Sequence, residues 1–256
     1  MFVVTTFALD SEFAPWRRLR PFRRIDGPVA RYETRVERVH LRVVLTGIGS
    51  DAATAAAGTI FHEKPDLCIA SGLVGGLSET LRAADVVAAE RVSGPTGASI
   101  ACDPLVLELA LECGARRIHT LYSAPAIVIT AEEKRQLSAI AEAVDMESRT
   151  ILGESQQRNI PALALRAVSD TATFDLPLDL NRALNPQGKI ARSRLLAAAV
   201  RSPKALPGLI RLGILGHRAA SALALCLDAC VVRLARDAPI SECRIRRAGF
   251  TNQSAI

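Results

Sequence analysis

The chain has 256 residues, of which 49% are hydrophobic and 23% are charged. A chain of this length and composition can bury a large core, which excludes a mostly disordered protein and predicts one sizeable α/β domain. The six cysteines include no CxxC pair and the four histidines no HExxH spacing, which argues against a metal site or a disulfide framework. We therefore expect neither a metal nor a cofactor.

Charge is distributed unevenly along the chain. From Lys189 onward there are 12 lysines and arginines against 3 acidic residues, a charge of +9; the total is +6, so the preceding residues carry −3. This asymmetry predicts an anionic partner for the C-terminal part, either nucleic acid or the cytoplasmic face of a membrane. The slightly acidic remainder argues against nucleic acid. Because residues 1–6 show no secretory signal, we expect a cytoplasmic protein, or one held peripherally at the inner membrane face.

The first predicted element is an apolar strand over residues 2–9. It runs into Asp10, Ser11 and Glu12, which places Glu12 in the loop after the strand. Residues 16–24 then hold five arginines among aromatic and apolar side chains. A solvated loop is the simplest interpretation, but clustered arginines also bind phosphate through paired hydrogen bonds.

Two strands are predicted over residues 31–39 and 40–46, and glycines follow them. Gly47 and Gly49 precede a helix that starts at Asp51. The positive end of that helix would face a substrate oxygen. A tight turn between strand and helix explains the two glycines equally well.

The middle of the chain alternates between predicted strands and helices. Residues 65–70 form a buried strand that leads into a glycine-rich segment containing Gly72 and Leu73. This alternation predicts a parallel or mixed sheet. Further elements are predicted as helices over 103–112 and 131–137, the latter a charged surface helix, and as strands over 117–123 and 126–130.

Acidic residues end two further apolar runs. Asp145 and Glu147 lie where a strand passes into a helix, whose positive end favours negative charge. In one interpretation they only cap that helix and complement its charge; in the other they bind a ligand. A buried strand over 162–168 ends in Ser169 and Asp170. Ligands bind at the carboxyl ends of strands in open α/β sheets, so we expect Asp170 at a binding site.

These segments together resemble the nucleoside phosphorylase and nucleosidase superfamily. The matching features, over about residues 1–175, are Glu12, the glycine-rich segment 71–77, the valine-x-methionine-glutamate element at 144–147 and the serine-aspartate pair at 169–170. The resemblance implies a single α/β domain with a mixed, mostly parallel central sheet flanked by helices. It also implies cleavage of the N-glycosidic bond of a purine nucleoside, with adenine as base and a modified 5′ position on the ribose.

The resemblance to methylthioadenosine/S-adenosylhomocysteine nucleosidases assigns roles to individual residues. Asp170 would protonate the purine as general acid, Glu12 would activate water, and Glu147 would bind the ribose hydroxyls. The substrate-binding set further contains Met146 against the sugar, Thr130 beside the base, and Gly49, Gly72, Leu73 and Ser169.

Departures from the superfamily pattern leave alternatives open. Phosphorylases of the superfamily carry an arginine before the glycine-rich loop and a hydroxyl within it, where this chain has Ala70 and Leu73. These departures argue against the usual phosphate site of the superfamily, and Leu73 also lacks the hydroxyl that nucleosidases use near the attacking water. A phosphate-dependent phosphorylase that uses the arginines of residues 17–24 instead is the first alternative to hydrolysis. A membrane-associated binding protein with a decayed active site is the second.

The C-terminal part is interpreted as an extension, which divides the chain into residues 1–188 and 189–256. Helical segments are predicted over 190–201 and 204–236. The second is too often interrupted by glycine, arginine and histidine to span a membrane. It would lie on a membrane as a basic amphipathic helix, or pack on its own domain or on a second subunit of a homo-oligomer.

A narrower resemblance, to hopanoid-associated phosphorylases, rests on Leu176-Pro177 and Arg201-Ser202-Pro203. It implies adenosylhopane, an adenosylated triterpenoid lipid, as the substrate.

Overall fold

The computed structural model describes residues 1–183, 185 and 203–251. Within them the chain forms a mixed sheet. Its strands are β1 (Phe2–Phe7), β2 (Arg23–Ile25), β3 (Arg31–Val36), β4 (Val39–Leu45), β5 (Leu67–Gly76), β6 (Val86–Ser93), β7 (Ile100–Ala101), β8 (Arg116–Ser123), β9 (Ala143–Asp145) and β10 (Ala162–Asp170).

The described helices flank this sheet. They are α1 (Asp10–Leu19), α2 (Ser50–Phe61), α3 (Pro104–Glu112), α4 (Ala131–Leu137), α5 (Ser148–Gln157) and α6 (Leu206–Thr251), with short 3-10 turns at Leu180–Ala183 and Pro203–Ala205. The start of α3 shows how the sequence sets a helix boundary: Asp103 accepts hydrogen bonds from the backbone N–H groups of Leu105 and Val106, and Pro104 occupies the first helical position.

The sheet has the order β10-β6-β8-β9-β5-β1-β4-β3-β2, with β7 paired to β6. Because β5 also pairs with β10, five of the strands (β5, β10, β6, β8 and β9) close on themselves. The adjacent strands β4, β1, β5 and β10 run parallel, so their carboxyl ends meet at one edge of the sheet. The predicted α/β fold with a mixed, mostly parallel sheet is confirmed.

Two local predictions differ from the structure. Residues 126–130 form no strand, because their backbone groups bond to other segments: the N–H of Ile127 donates to the Asn181 side chain and the N–H of Ile129 to Glu133. The predicted loop at 16–24 is helical as far as Leu19, and Trp16 is completely buried.

Helix α6 packs on the domain over residues 219–235. Buried residues from Ala219 to Ala235 belong to the same hydrophobic core as the sheet, and α6 contacts α1, α3 and β10. Asp228 accepts hydrogen bonds from the indole of Trp16 and from the guanidinium of Arg20, which ties α6 to α1. Residues 219–235 therefore agree with the alternative in which this helix packs on its own domain.

Part of the prediction for the C-terminal segment lies outside the described residues. The proposed boundary at residue 188 and the helix predicted over 190–201 both fall there. Among the described residues, no helix is both long and apolar enough to cross a membrane.

Candidate functional site

A cavity of about 270 Å³ opens at the carboxyl edge of the parallel strands. Its walls come from the ends of β5 and β10, the junction of β9 with α5, the start of α1, the segment 126–128 and helix α6. The acidic side chains in its lining are Glu12, Asp145, Glu147 and Asp170. The sheet therefore brings together carboxylates that lie up to 158 residues apart in the chain, between positions 12 and 170.

Glu12 lies in the first turn of α1, not in a preceding loop as the sequence predicts. Its carboxylate accepts hydrogen bonds from the backbone N–H groups of Ala8 and Leu9, at 3.1 and 3.2 Å, which fixes its orientation. Burial raises the pKa of the Glu12 carboxyl above its usual value, and the positive charge of Arg166 opposes part of that rise. A carboxylate whose pKa is shifted toward neutrality is a better general base.

Glu147 lies at the junction between β9 and α5. Its Oε1 accepts a 2.7 Å hydrogen bond from the backbone N–H of Gly49, whose positive φ of 96° turns that N–H toward the acid. Burial, and then repulsion from the neighbouring Asp145 charge, raise the pKa of Glu147 to about 7, while Arg166 acts in the opposite direction. Glu147 is therefore tied to the β4–α2 loop and titrates near neutral pH.

Asp170 ends β10 and shares its two carboxyl oxygens between two partners. Oδ1 accepts a hydrogen bond from the Ser169 hydroxyl at 2.5 Å, and Oδ2 lies 2.5 Å from the ammonium of Lys134. Lys134 belongs to the helix that the sequence predicts to be a charged surface helix, but its side chain is completely buried. That prediction is wrong for Lys134, because its side chain points into the domain and pairs with the carboxylate of Asp170.

A buried arginine behind the cavity links the acids. Arg166, in the middle of β10, is only 1% exposed. Its guanidinium pairs with Asp145 at 2.5 Å, lies 3.7 Å from Glu147, donates to the carbonyl of Ser71, and bonds twice to the Ser148 hydroxyl. Its charge offsets the negative charge that the carboxylates concentrate here.

Gly72 makes this close packing possible. Its φ is +136°, and a Cβ at this position would lie 2.7 Å from Nη1 of Arg166 and 3.0 Å from Oε2 of Glu12. A side chain here would push the arginine and the acid apart. Gly72 thus contributes by lacking a side chain, which leaves room for the arginine and the acid. Leu73 beside it lines the cavity.

The other predicted site residues divide into two groups. Met146, Leu73 and Ser169 line the cavity, and Gly49 contacts it through its bond to Glu147. Thr130 lies outside the lining: its hydroxyl accepts from the N–H of Glu133 and caps α4. The segment before it, residues 126–128, supplies the wall instead, because Thr130 has become the helix cap.

Sequence reasoning missed Arg166, Lys134 and the contribution of α6. Arg166 carried a signal, since an arginine inside an otherwise apolar buried strand must be paired. Lys134 carried none, because it lies between charged residues that are exposed. The lining residues Leu212 and Gly216 come from α6, which the sequence assigned to an extension.

The fold and the site together define an α/β enzyme whose buried acids surround one cavity at the carboxyl edge of a mixed sheet. The sequence model described as "Phosphorylase superfamily" matches residues 12–201, and the chain belongs to that superfamily. The resemblance inferred from the sequence is thereby confirmed at this level.

Solved structures of other proteins share the fold. The 5′-methylthioadenosine/S-adenosylhomocysteine nucleosidase of Neisseria meningitidis, in complex with methylthio-immucillin-A, is 21% identical with a TM-score of 0.70, over 91% of this chain and 99% of that one. Futalosine hydrolase of Helicobacter pylori is 18% identical with a TM-score of 0.71, over 91% and 98%. A mutant form of the nucleosidase MTAN from Helicobacter pylori, with 5′-methylthioadenosine in its active site, is 17% identical with a TM-score of 0.69, again over 91% of this chain and 98% of that one.

Proposed function

We propose that this protein hydrolyses the N-glycosidic bond of a purine nucleoside, with adenine as the base and a modified 5′ position on the ribose. The observation that carries the proposal is the convergence of Glu12, Glu147 and Asp170 on one cavity. Each acid lies in the sequence element that the superfamily resemblance associates with it. The shared fold of nucleosidases that bind 5′-methylthioadenosine or its analogues supports the same substrate class.

In the proposed reaction, the bond between the purine nitrogen and C1′ of the ribose breaks and its electron pair stays with the base. Asp170 transfers a proton to a purine nitrogen, which makes the base a better leaving group. A water molecule forms the new bond to C1′, and Glu12 accepts the proton that this water loses. The products are the free base and the free sugar; Glu12 then releases its proton to solvent and Asp170 takes one up.

The remaining residues position the substrate. Glu147 accepts hydrogen bonds from the ribose hydroxyls, and Met146, which reaches toward Gly49, packs against the sugar. Holding the sugar in this way removes much of the entropic barrier to attack by water.

Hydrolysis is favoured over phosphorolysis by the charges around the cavity. Among the described lining residues there is no lysine or arginine, and an anionic phosphate next to Glu12 would be repelled. None of the five arginines suggested for phosphate belongs to the described cavity lining. Two of them are engaged elsewhere: Arg17 pairs with Asp10 and stacks over Phe13, and Arg20 pairs with Asp228. Arg166 is committed to its own acidic partners.

Release of the base from 5′-methylthioadenosine, adenosine and inosine in phosphate-free buffer tests the proposal. We expect both adenine nucleosides to be cleaved without phosphate, with the 5′-modified one preferred. Cleavage of inosine alone, or of none of the three, would remove the proposed substrate class.

Glu147→Gln should weaken catalysis mainly through the sugar. A hydrogen bond to a charged acceptor contributes about 1.5–3 kcal/mol, so kcat/KM for the ribose substrate should fall roughly 10- to 100-fold. The 2′-deoxy substrate, which offers one hydroxyl fewer, should lose less. Equal losses for the two sugars would remove Glu147 from ribose binding.

The pH dependence of KM provides a second readout of Glu147. Its pKa is raised to about 7, so the carboxyl becomes protonated as the pH falls below 7 and accepts hydrogen bonds less well. KM for the ribose substrate should therefore rise from pH 8 to pH 6 in the parent protein. In Glu147→Gln, which has no proton to gain, this rise should be absent.

We propose further that the 5′ substituent is a large apolar group, as in adenosylhopane, and that the protein takes it from a membrane surface. Support comes from an exposed apolar ridge on α6, formed by Leu206, Ile210 and Ile214, which repeats every four residues and so lies on one face. Leu212 and Gly216, on the same stretch of helix, line the cavity. The charge of +9 from Lys189 onward would attract anionic lipid.

The intact protein should co-sediment with vesicles that contain anionic lipid, and added salt should weaken the binding. Replacing Ile210 and Ile214 by serine should reduce co-sedimentation. Ile140→Ser is the matched control, since Ile140 is 57% exposed and does not belong to α6. If the parent protein ignores such vesicles at low salt and the ridge is instead buried between two copies of the chain, the membrane proposal fails.

A further inference from the structure

The ammonium of Lys134 lies behind Asp170 and has all of its protons in use. It is 2.5 Å from Asp170 Oδ2 and donates to the backbone carbonyls of Thr171 and Phe174 at 3.0 and 2.8 Å. A lysine ammonium has three protons, so these acceptors saturate it. Lys134 is absent from the described cavity lining, whereas Asp170 belongs to it. The lysine therefore reaches the site only through the aspartate.

Neighbouring contacts hold the helix of Lys134 rigidly against the chain that follows Asp170. The Asp175 side chain accepts from the N–H of Ala131 at 2.6 Å, and the N–H of Leu176 donates to the carbonyl of Ile129 at 2.8 Å. Thr130 and Glu133 close the start of α4 with reciprocal hydrogen bonds. Because the helix is fixed by these bonds, the lysine is not needed merely to attach it.

Stability alone is a weak reason for burying this pair. Lysine is among the residues least often buried completely, and an apolar pair of similar volume is often as stable as a buried ion pair. The pair is instead located at the carboxyl group whose protonation changes in the proposed reaction. The ion pair corresponds to the state after proton transfer: once Asp170 has given up its proton, its negative charge lies 2.5 Å from a fixed positive charge, which is the arrangement that lowers the energy of a developing charge.

We propose that Lys134 is a positioning residue for Asp170. It holds the carboxyl group in one orientation and stabilises the carboxylate that remains after the base has been protonated. This inference rests on the proposed function, because it assumes that Asp170 protonates the base.

Lys134→Met should lower kcat for base release by about 10- to 100-fold with little change in KM, because the substrate does not contact the lysine. Lys134→Gln, which keeps a polar group without the charge, is the second variant in case methionine prevents folding, and it should lose kcat similarly. The control is Asp175→Ala, which loosens the same helix without altering the charge beside Asp170. A role limited to holding the helix would give Asp175→Ala and Lys134→Met the same loss of kcat, and that result would overturn the inference.

A double-mutant cycle with Asp170→Asn tests whether the lysine acts through the aspartate. If it does, adding Lys134→Met to Asp170→Asn should lower kcat by less than about 2-fold further, since the group that the lysine assists is already gone. Independent, multiplying losses would contradict the inference. The proposed function has its own test: it fails if the parent protein releases no base. If the parent is fully active and kcat is unchanged in both Lys134 variants, only the role of Lys134 is overturned.

Discussion

Asp170→Asn is expected to lower kcat for base release by about 100-fold or more. The asparagine amide keeps the shape of the side chain but has no carboxyl proton to give to the purine. Its oxygen can still accept a hydrogen bond from Lys134, which retains the bonds of its ammonium to Thr171 and Phe174. The variant should therefore fold, and the loss should appear in the chemical step.

Steady-state assays of base release, with circular dichroism to verify the fold, measure this effect. Asp26→Asn is the matched control, because Asp26 is an exposed loop residue that does not belong to the cavity lining. Parental cleavage rates in a folded Asp170→Asn protein would show that another group protonates the base. The assignment of the serine-aspartate element would then be wrong.

Arg166→Met is expected to destabilise the protein by about 3–5 kcal/mol, the range found when one partner of a buried ion pair is removed. Arg166 is the positive charge that pairs with Asp145 and lies near Glu147, and it opposes the burial-driven rise in the pKa of both Glu12 and Glu147. Methionine fills much of the volume but leaves these acids without their counter-charge. The free energy of unfolding, from urea denaturation, measures the loss.

The loss should depend on pH in a defined direction. Without Arg166 the folded-state pKa values of the buried acids should rise further above their unfolded values, which favours the protonated form in the folded state. The stability that comes from this tighter proton binding in the folded state is present at low pH and disappears as the pH rises through the folded-state pKa. The gap in unfolding free energy between the parent and Arg166→Met should therefore widen from pH 5 to pH 8. The exposed Arg24→Met should show no such trend, and a constant gap for Arg166→Met would contradict its role as counter-charge.

Much of the fold between residues 31 and 170 could be predicted because its elements have clear boundaries in the sequence. The strand at 65–70 and the strand at 162–168 are apolar runs, and the predicted helix at 103–112 begins at a capping aspartate followed by proline. The segment 126–130 was predicted as a strand because its side chains are apolar. Its backbone instead bonds to Asn181, a contact across 54 residues that has no local signal, and to Glu133, which forms the capping box with Thr130.

The candidate site could be predicted in part for a similar reason. Glu12 and Asp170 follow or end strands of the parallel set, whose carboxyl ends meet at one edge. Glu147 follows β9, which runs antiparallel to β5 and reaches the site because it pairs with the carboxyl end of β5. The groups that support these acids depend on tertiary contacts: Lys134 is identified by the carboxylate that it reaches, and α6 by the wall that Leu212 and Gly216 supply. Of these supporting residues, Arg166 alone could have been anticipated, from the cost of an unpaired arginine in an apolar strand.

The most direct test of the proposed hydrolysis is the identity of the sugar product. The parent protein, incubated with 5′-methylthioadenosine and inorganic phosphate, should release adenine together with free 5-methylthioribose, and phosphorus NMR should show that the inorganic phosphate is not consumed. A sugar 1-phosphate formed in proportion to the adenine, with no release of adenine when phosphate is withheld, would contradict this account.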